Sequence, residues 1–209
     1  MINALMKTLY ATAALTIAKV LNKDDYLKVK KIRLEALEND GRYFATSYEE
    51  EKSYSDAQWR QWIAESPENC VIGVFVGDEL VGITTVTKWE EDVTGKTAKF
   101  GRSYIRPDSR GQGLANLLYQ KRMDWAKQQR RYTSAVVFHR DGNELSKHIN
   151  TKFGAKYYFT RPMRWANGET ADAHWYKTLL AERKKDSIEK TRKKISATPV
   201  AEKQVLTLN

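Results

Sequence analysis

Apolar residues along the chain follow two rhythms, and the switch between them marks the elements. From 70 to 105 the rhythm is that of strands. CVIGVFV, VGITTVTKW and TAKFGRSYI are rich in β-branched and aromatic residues, and Gly77-Asp78-Glu79 and Thr94-Gly95 separate them as turns. The first two predict a hairpin. Upstream, LTIAKVL predicts a strand within 14–21. Asp24 and Asp25 then offer caps to a helix with apolar positions at Leu27, Val29, Ile32, Leu34 and Leu37, ended by Asn39-Asp40-Gly41. A polar segment, SYEEEK, reads as a solvated face in which Glu49, Glu50 or Glu51 could also meet a cationic amine. Ser55 opens a short helix, DAQWRQWIAE, whose Trp59 and Trp62 share one face. These two, with Phe44 and Tyr48, read as core or rim aromatics.

In the second half the rhythm alternates. A helix runs from the glycines of IRPDSRGQGLANLL to about Gln129, and SAVVFHR is a strand. DGN turns into a helix, ELSKHINTKF, stopped by Gly154, and AKYYFTR and HWYKTLL are strands on either side of a loop with Gly168. The order β, α, α, β, β, β, α, β, α, β, β predicts a mixed α/β sheet rather than a sandwich or a bundle. There are no internal repeats. Residues 1–13 read as an N-terminal extension, 14–180 as one domain, and 181–209 as a basic tail, partly helical or disordered.

Charge narrows the partner. The net charge is +10, of which the tail, with eight Lys/Arg against four Asp/Glu, supplies +4. A basic body suits a polyanionic ligand, yet no RNA-binding signature accompanies it, so nucleic acid is not the expected partner. The single cysteine, Cys70, sits in a β-rich run and reads as a small buried hydrophobe in a reducing compartment. No run approaches the ~20 apolar residues that span a bilayer, and TLYATAALTIA passes into NKDDY without a cleavage site. A cytoplasmic protein is expected, with a homodimer left open. No His/Cys/carboxylate spacing suggests a metal site.

The stretch from Arg110 to Ala115, RGQGLA, combines three features of an anion site: a helix N-terminus, glycines that admit close approach, and an arginine. It lacks the Gly-Lys-Ser/Thr of a Walker A loop. It also lacks the third glycine of a dinucleotide fingerprint, where Asn116 stands. Preceded by a strand and Pro107, it resembles the acetyl-CoA motif of the GNAT N-acetyltransferase superfamily, Gln/Arg-x-x-Gly-x-Gly/Ala, met by Arg110, Gly113 and Ala115. Asn143 and Ser146 followed by Phe153-Gly154-Ala155 resemble the family's Asn-x-x-Ser/Ala segment, and RLEAL with FATSYEEE its substrate-side region.

The resemblance, over roughly 14–180, implies a single domain whose mixed, mostly antiparallel sheet has β4 (98–105) and β5 (134–139) splayed apart and is flanked by helices. It implies acetyl-CoA as cofactor and an amine as acceptor: a small molecule, a protein N-terminus or a lysine. The N–H groups of Gly111, Gln112, Gly113, Leu114 and Ala115 would grip the pyrophosphate, the backbone of Tyr104 and Ile105 would pair with the pantetheine arm, and Asn143 and Ser146 would position it. The family's frequent general acid is a tyrosine seven residues after the motif asparagine. Here that position is Asn150, with Tyr104, Tyr157 and Tyr158 as substitutes. An acceptor ammonium near pKa ~10.4 must lose a proton before attack. The candidate bases are Glu90 and Glu91, after the third strand, and His139, at the end of the fifth; His148 and His174 read as surface residues. The alternatives are a CoA-binding domain with little catalysis and an RNA-associated module using the tail.

Overall fold

The computed structural model describes residues 15–180; the expected extension at 1–13 and tail at 181–209 lie outside the described residues. Seven strands form one sheet: β1 (Thr16–Val20), β2 (Cys70–Val76), β3 (Glu79–Lys88), β4 (Thr97–Ile105), β5 (Ser134–Arg140), β6 (Lys156–Arg164) and β7 (Thr170–Leu179), ordered β1-β2-β3-β4-β5-β7-β6. Every pairing is antiparallel except β4 with β5. The helices are α1 (Tyr26–Asp40), α2 (Tyr48–Lys52), α3 (Asp56–Ile63), α4 (Leu114–Gln128) and α5 (Glu144–Lys152). The expected mixed, mostly antiparallel architecture is the one observed.

The central strands are covered on both faces, which is why β2 reads as a nearly unbroken apolar run. Its side chains alternate: Ile72 and Val74 pack with Leu114, Leu118 and Met123 of α4, while Val71 and Phe75 pack with Val29, Ile32 and Ala36 of α1. A third cluster, built on Trp89, Val136, Trp165 and Trp175, lies along β5 and β7.

Three sequence expectations need correction. In α1 Leu27 is exposed and Leu34 only partly buried, and the buried stripe is Val29, Ile32, Arg33, Ala36 and Leu37. An arginine therefore occupies a core position. The polar segment SYEEEK contains a helical turn, α2, capped by Ser47, whose side chain accepts from the Glu50 N–H, and its Glu51 is buried rather than solvated. Finally, β6 and β7 extend to Arg164 and from Thr170, making a longer hairpin than expected. Pro162 is tolerated within β6 because that strand lies at the sheet edge.

Two irregularities in β4 shape the centre of the molecule. Ile83 pairs with Tyr104 and Thr85 with Gly101, so Arg102 and Ser103 together oppose Thr84 in a bulge, where Arg102 has a φ of 51°. Beyond the bulge β4 parts from β5. Their ladder joins only Thr97–Phe100 to Ser134–Val137, although β4 continues to Ile105 and β5 to Arg140.

Candidate active site

The parting of β4 and β5 opens a cavity of about 530 Å³, lined from the sheet by Ser103, Tyr104, Ile105, Val137, Phe138 and His139. One end of the cavity is the turn that heads α4. Gly111 and Gly113 have φ of 79° and 77°, in the left-handed region where a side chain is strained. A Cβ on Gly111 would meet nothing within 4 Å, so both glycines answer to backbone geometry rather than crowding. Gly113 is the N-cap of α4 and offers no side-chain cap. Among the described residues, the N–H groups of Gly111, Gln112, Gly113, Leu114 and Ala115 have no hydrogen-bond acceptor within the chain. Five unpartnered donors at the positive end of a 15-residue helix form a cradle for a multiply charged oxyanion such as a pyrophosphate.

Arg110 braces this turn. Its Nε donates to the Ile105 carbonyl at 2.9 Å and its Nη2 to Asp40 at 2.6 Å, tying the turn to β4 and to the end of α1. Asn143 caps α5, its Oδ1 accepting from the Ser146 N–H at 3.1 Å, and both residues line the cavity. Tyr104 and Ile105 also line it, but the Tyr104 ring is buried on the α1 side, where its hydroxyl bonds Glu35 at 2.9 Å and Asn39 at 3.0 Å. Burial, with the Glu35 hydrogen bond and charge outweighing the Asn39 bond, pushes this phenol up to about 12.

The three candidate bases are not equivalent in place. Glu91 makes a two-pronged ion pair with Arg161 of β6 (2.6 and 2.9 Å) and lies outside the cavity lining. Glu90 holds Lys99 at 2.6 Å and lines a smaller neighbouring cavity of about 410 Å³. Both carboxyls are held below the usual range: in Glu90 burial raises the pKa but is outweighed by the Lys99 bond together with a backbone hydrogen bond and the Lys99 and Arg102 charges, and in Glu91 the Arg161 pair dominates. His139 lines the main cavity and is 5% exposed, with its ring stacked on Tyr176 at 5.2 Å. Its Nδ1 is buried without a partner. Burial and the nearby His174 push its pKa down to about 4. His174 itself bonds Asp141 at 3.0 Å and Thr160 at 2.8 Å, while His148 is exposed at the cavity wall.

Asn150 is buried at the cavity wall, with its Nδ2 unpartnered. Of the tyrosines considered in its stead, Tyr157 and Tyr158 stand exposed on β6, away from the lining. Tyr119 of α4, not singled out from the sequence, does line the cavity, with a buried hydroxyl that has no partner.

Three arginines complete the walls, and none stood out in the sequence. Arg33 grips Glu51 through two bonds of 2.8 Å, Thr46 donates to the same carboxylate at 2.6 Å, and the guanidinium lies 4.4 Å over the Phe44 ring. Burial raises the Glu51 pKa, but Arg33 and Thr46 outweigh it and hold the carboxyl below its ordinary value. Arg122 of α4 is 3% exposed, lies between the rings of Tyr119 and Phe100, and donates to Ser103 at 3.0 Å. No carboxylate pairs with it among the described residues. Arg33 and Arg122 were detectable in one respect: each stands three or four residues from apolar positions on both sides, on the stripe its helix buries. Arg102 carries no such signal, because strand TAKFGRSYI gives no sign of its bulge.

The match to known proteins agrees with this geometry. A family model described as "Acetyltransferase (GNAT) family" matches residues 33–154, more than half of the chain. No curated protein matches it significantly in sequence. Among solved structures, an acetyltransferase of the GNAT family from Streptococcus pneumoniae is similar at a TM-score of 0.69 and 14% identity, over 80% of this chain and all of that one. A putative acetyltransferase from Salmonella typhimurium, determined with its cofactor acetyl-CoA, gives 0.68 and 16% over 81% of this chain and 96% of that one. The ribosomal-protein-S18-alanine N-acetyltransferase from Escherichia coli gives 0.60 and 13% over 82% and 98%. With the family model running from the middle of α1 past the end of α5, and this sheet and cradle beneath it, the chain belongs to the GNAT family of acetyltransferases.

Proposed function

We propose that the protein is an acetyl-CoA-dependent N-acetyltransferase that passes an acetyl group to a primary amine by direct attack, with both substrates bound together. The observation that carries this reading is the row of five unpartnered N–H groups at the left-handed glycine turn, opening into the gap between β4 and β5. The donors fit a pyrophosphate, and the facing strand edges beyond Phe100 and Val137 fit an extended amide-bearing arm. Bound acetyl-CoA supplies an activated acetyl thioester. The chain's own groups do the rest: residues 111–115 hold the phosphates, the backbone of Tyr104 and Ile105 with Asn143 and Ser146 aligns the arm, and the apolar walls exclude water. The catalytic unit is taken as 14–180.

His139 is the base this geometry favours over Glu90 and Glu91. It borders the cavity with its Nδ1 unpartnered, whereas the two carboxylates are engaged by Lys99 and Arg161. It takes the proton that the amine sheds as the amide bond forms. Asn150 favours a second reading, a CoA-binding domain with little turnover, since an amide cannot protonate a departing thiolate. Release of thiol from acetyl-CoA with an amine panel separates the two readings.

The cradle is tested by Gly113→Leu. A side chain at φ 77° strains the turn and crowds the phosphate approach. CoA affinity measured by calorimetry should fall at least tenfold while the far-UV circular dichroism is retained. Undiminished affinity would place the phosphates elsewhere.

A further inference from the structure

The acceptor half of the cleft carries a positive charge that the chain does not neutralise. Arg33 is matched by Glu51, and Lys99 by Glu90. Arg102 is different. It stands where the two cavities meet, beside the Trp62 ring at 5.5 Å, and its guanidinium makes no hydrogen bond or ion pair with any described residue. The side chain is more than half buried, so water alone serves the guanidinium poorly. Its backbone is also held at φ 51°, a conformation costly for a non-glycine residue, by the bulge opposite Thr84. Strain and an unmatched, partly buried cation at one residue both cost stability. Packing does not explain them, since Ser103 and Thr84 already satisfy the α4 side of the bulge through Arg122.

Arg102 also lies three residues along β4 from Ile105, about 10 Å further from the phosphate cradle. It therefore faces the acceptor, not the CoA phosphates. We propose that the acceptor is an amine that also carries a carboxylate, an amino acid or close relative, and that Arg102 is the residue that grips this carboxylate through its two-pronged fork. The inference rests on the acetyltransferase reading above. An amino acid brings the missing negative charge, and the planar guanidinium matches it as a lysine could not. A polyamine brings no carboxylate and would leave the Arg102 charge unmatched, so it is disfavoured as an acceptor.

The test compares amino acids with their carboxamides, pair by pair, as acceptors for acetyl-CoA, alongside a simple polyamine. The acids should react at least tenfold faster in kcat/KM than the matched amides, and the polyamine should be inert. Arg102→Asn, a residue that accepts a left-handed backbone, should bring the acid-to-amide ratio close to one, a loss of about 10- to 100-fold in preference. Arg102→Lys should recover only part of it. Calorimetric binding of the acids to wild type and to Arg102→Asn needs no turnover, and thermal melting checks that the variant folds. Preference for the amides, no binding of any acid in the panel, or a ratio unmoved by Arg102→Asn overturns the proposal. CoA binding is measured separately: its absence, with acids still bound through Arg102, would overturn the acetyltransferase reading while leaving this site standing.

Discussion

Arg33 and Glu51 make the case for single residues most clearly. Both side chains are almost fully buried (1% and 2% exposed), and each leaves the other uncompensated if removed. Glu51→Gln should therefore destabilise the protein by about 3–5 kcal/mol in urea unfolding, and replacing both residues by apolar ones should cost less than either single change. His139 predicts a pH effect. Its folded pKa near 4 lies below the ordinary value near 6.5, so between those values the unfolded chain binds the extra proton. The stability contributed by the neutral ring is present above about pH 6.5 and is lost as pH falls toward 4. His139→Gln should lose about 3 kcal/mol less than wild type between pH 7 and pH 4, by urea titration at each pH. Equal losses would show that the ring is hydrated in the fold.

At the scale of elements, the order of strands and helices was readable because periodicity survives local exceptions. The hairpin of β2 and β3, the glycine turn and α4 all lie where alternation, turn residues and helical spacing place them. What escaped depends on long-range partners. Glu51 looks like one more acid in a charge run until Arg33, 18 residues away, is packed over it. The Arg102 bulge arises from the register of β3 against β4, which no local pattern records. The proposed cofactor cradle was legible because backbone and glycine build it. The proposed acceptor side was not, because distant side chains build it. The close seating of β3 on β4 gives a further prediction at Gly82, where a Cβ would lie 2.3 Å from Ile105 Cδ1 and 2.9 Å from the Tyr104 carbonyl oxygen. The carbonyl cannot yield without moving β4. Gly82→Ala should cost about 1–3 kcal/mol and weaken CoA binding as well, since the displaced strand lines the cleft. Urea unfolding and calorimetry on one preparation check both.

For the molecule as a whole, the net charge of +10 favours encounter with a polyanion such as CoA. The association rate, followed by stopped flow, should fall by about tenfold between 20 and 200 mM salt, with the dissociation rate changing much less. The short ladder between β4 and β5 has a different consequence. Four residue pairs, continued at one end by the Thr133 N–H donating to the Lys96 carbonyl, make up the ladder between one leaf of the sheet, β1 to β4, and the other, β5 to β6. Local opening is expected first at such a seam, and a ligand that bridges both leaves closes it. With CoA at a hundred times its Kd, opening that expels the ligand becomes about a hundredfold rarer. Amide hydrogens of residues 97–100 and 134–137 should then exchange with deuterium correspondingly more slowly, while those of the β1–β2 pair, remote from the seam, keep their own pace.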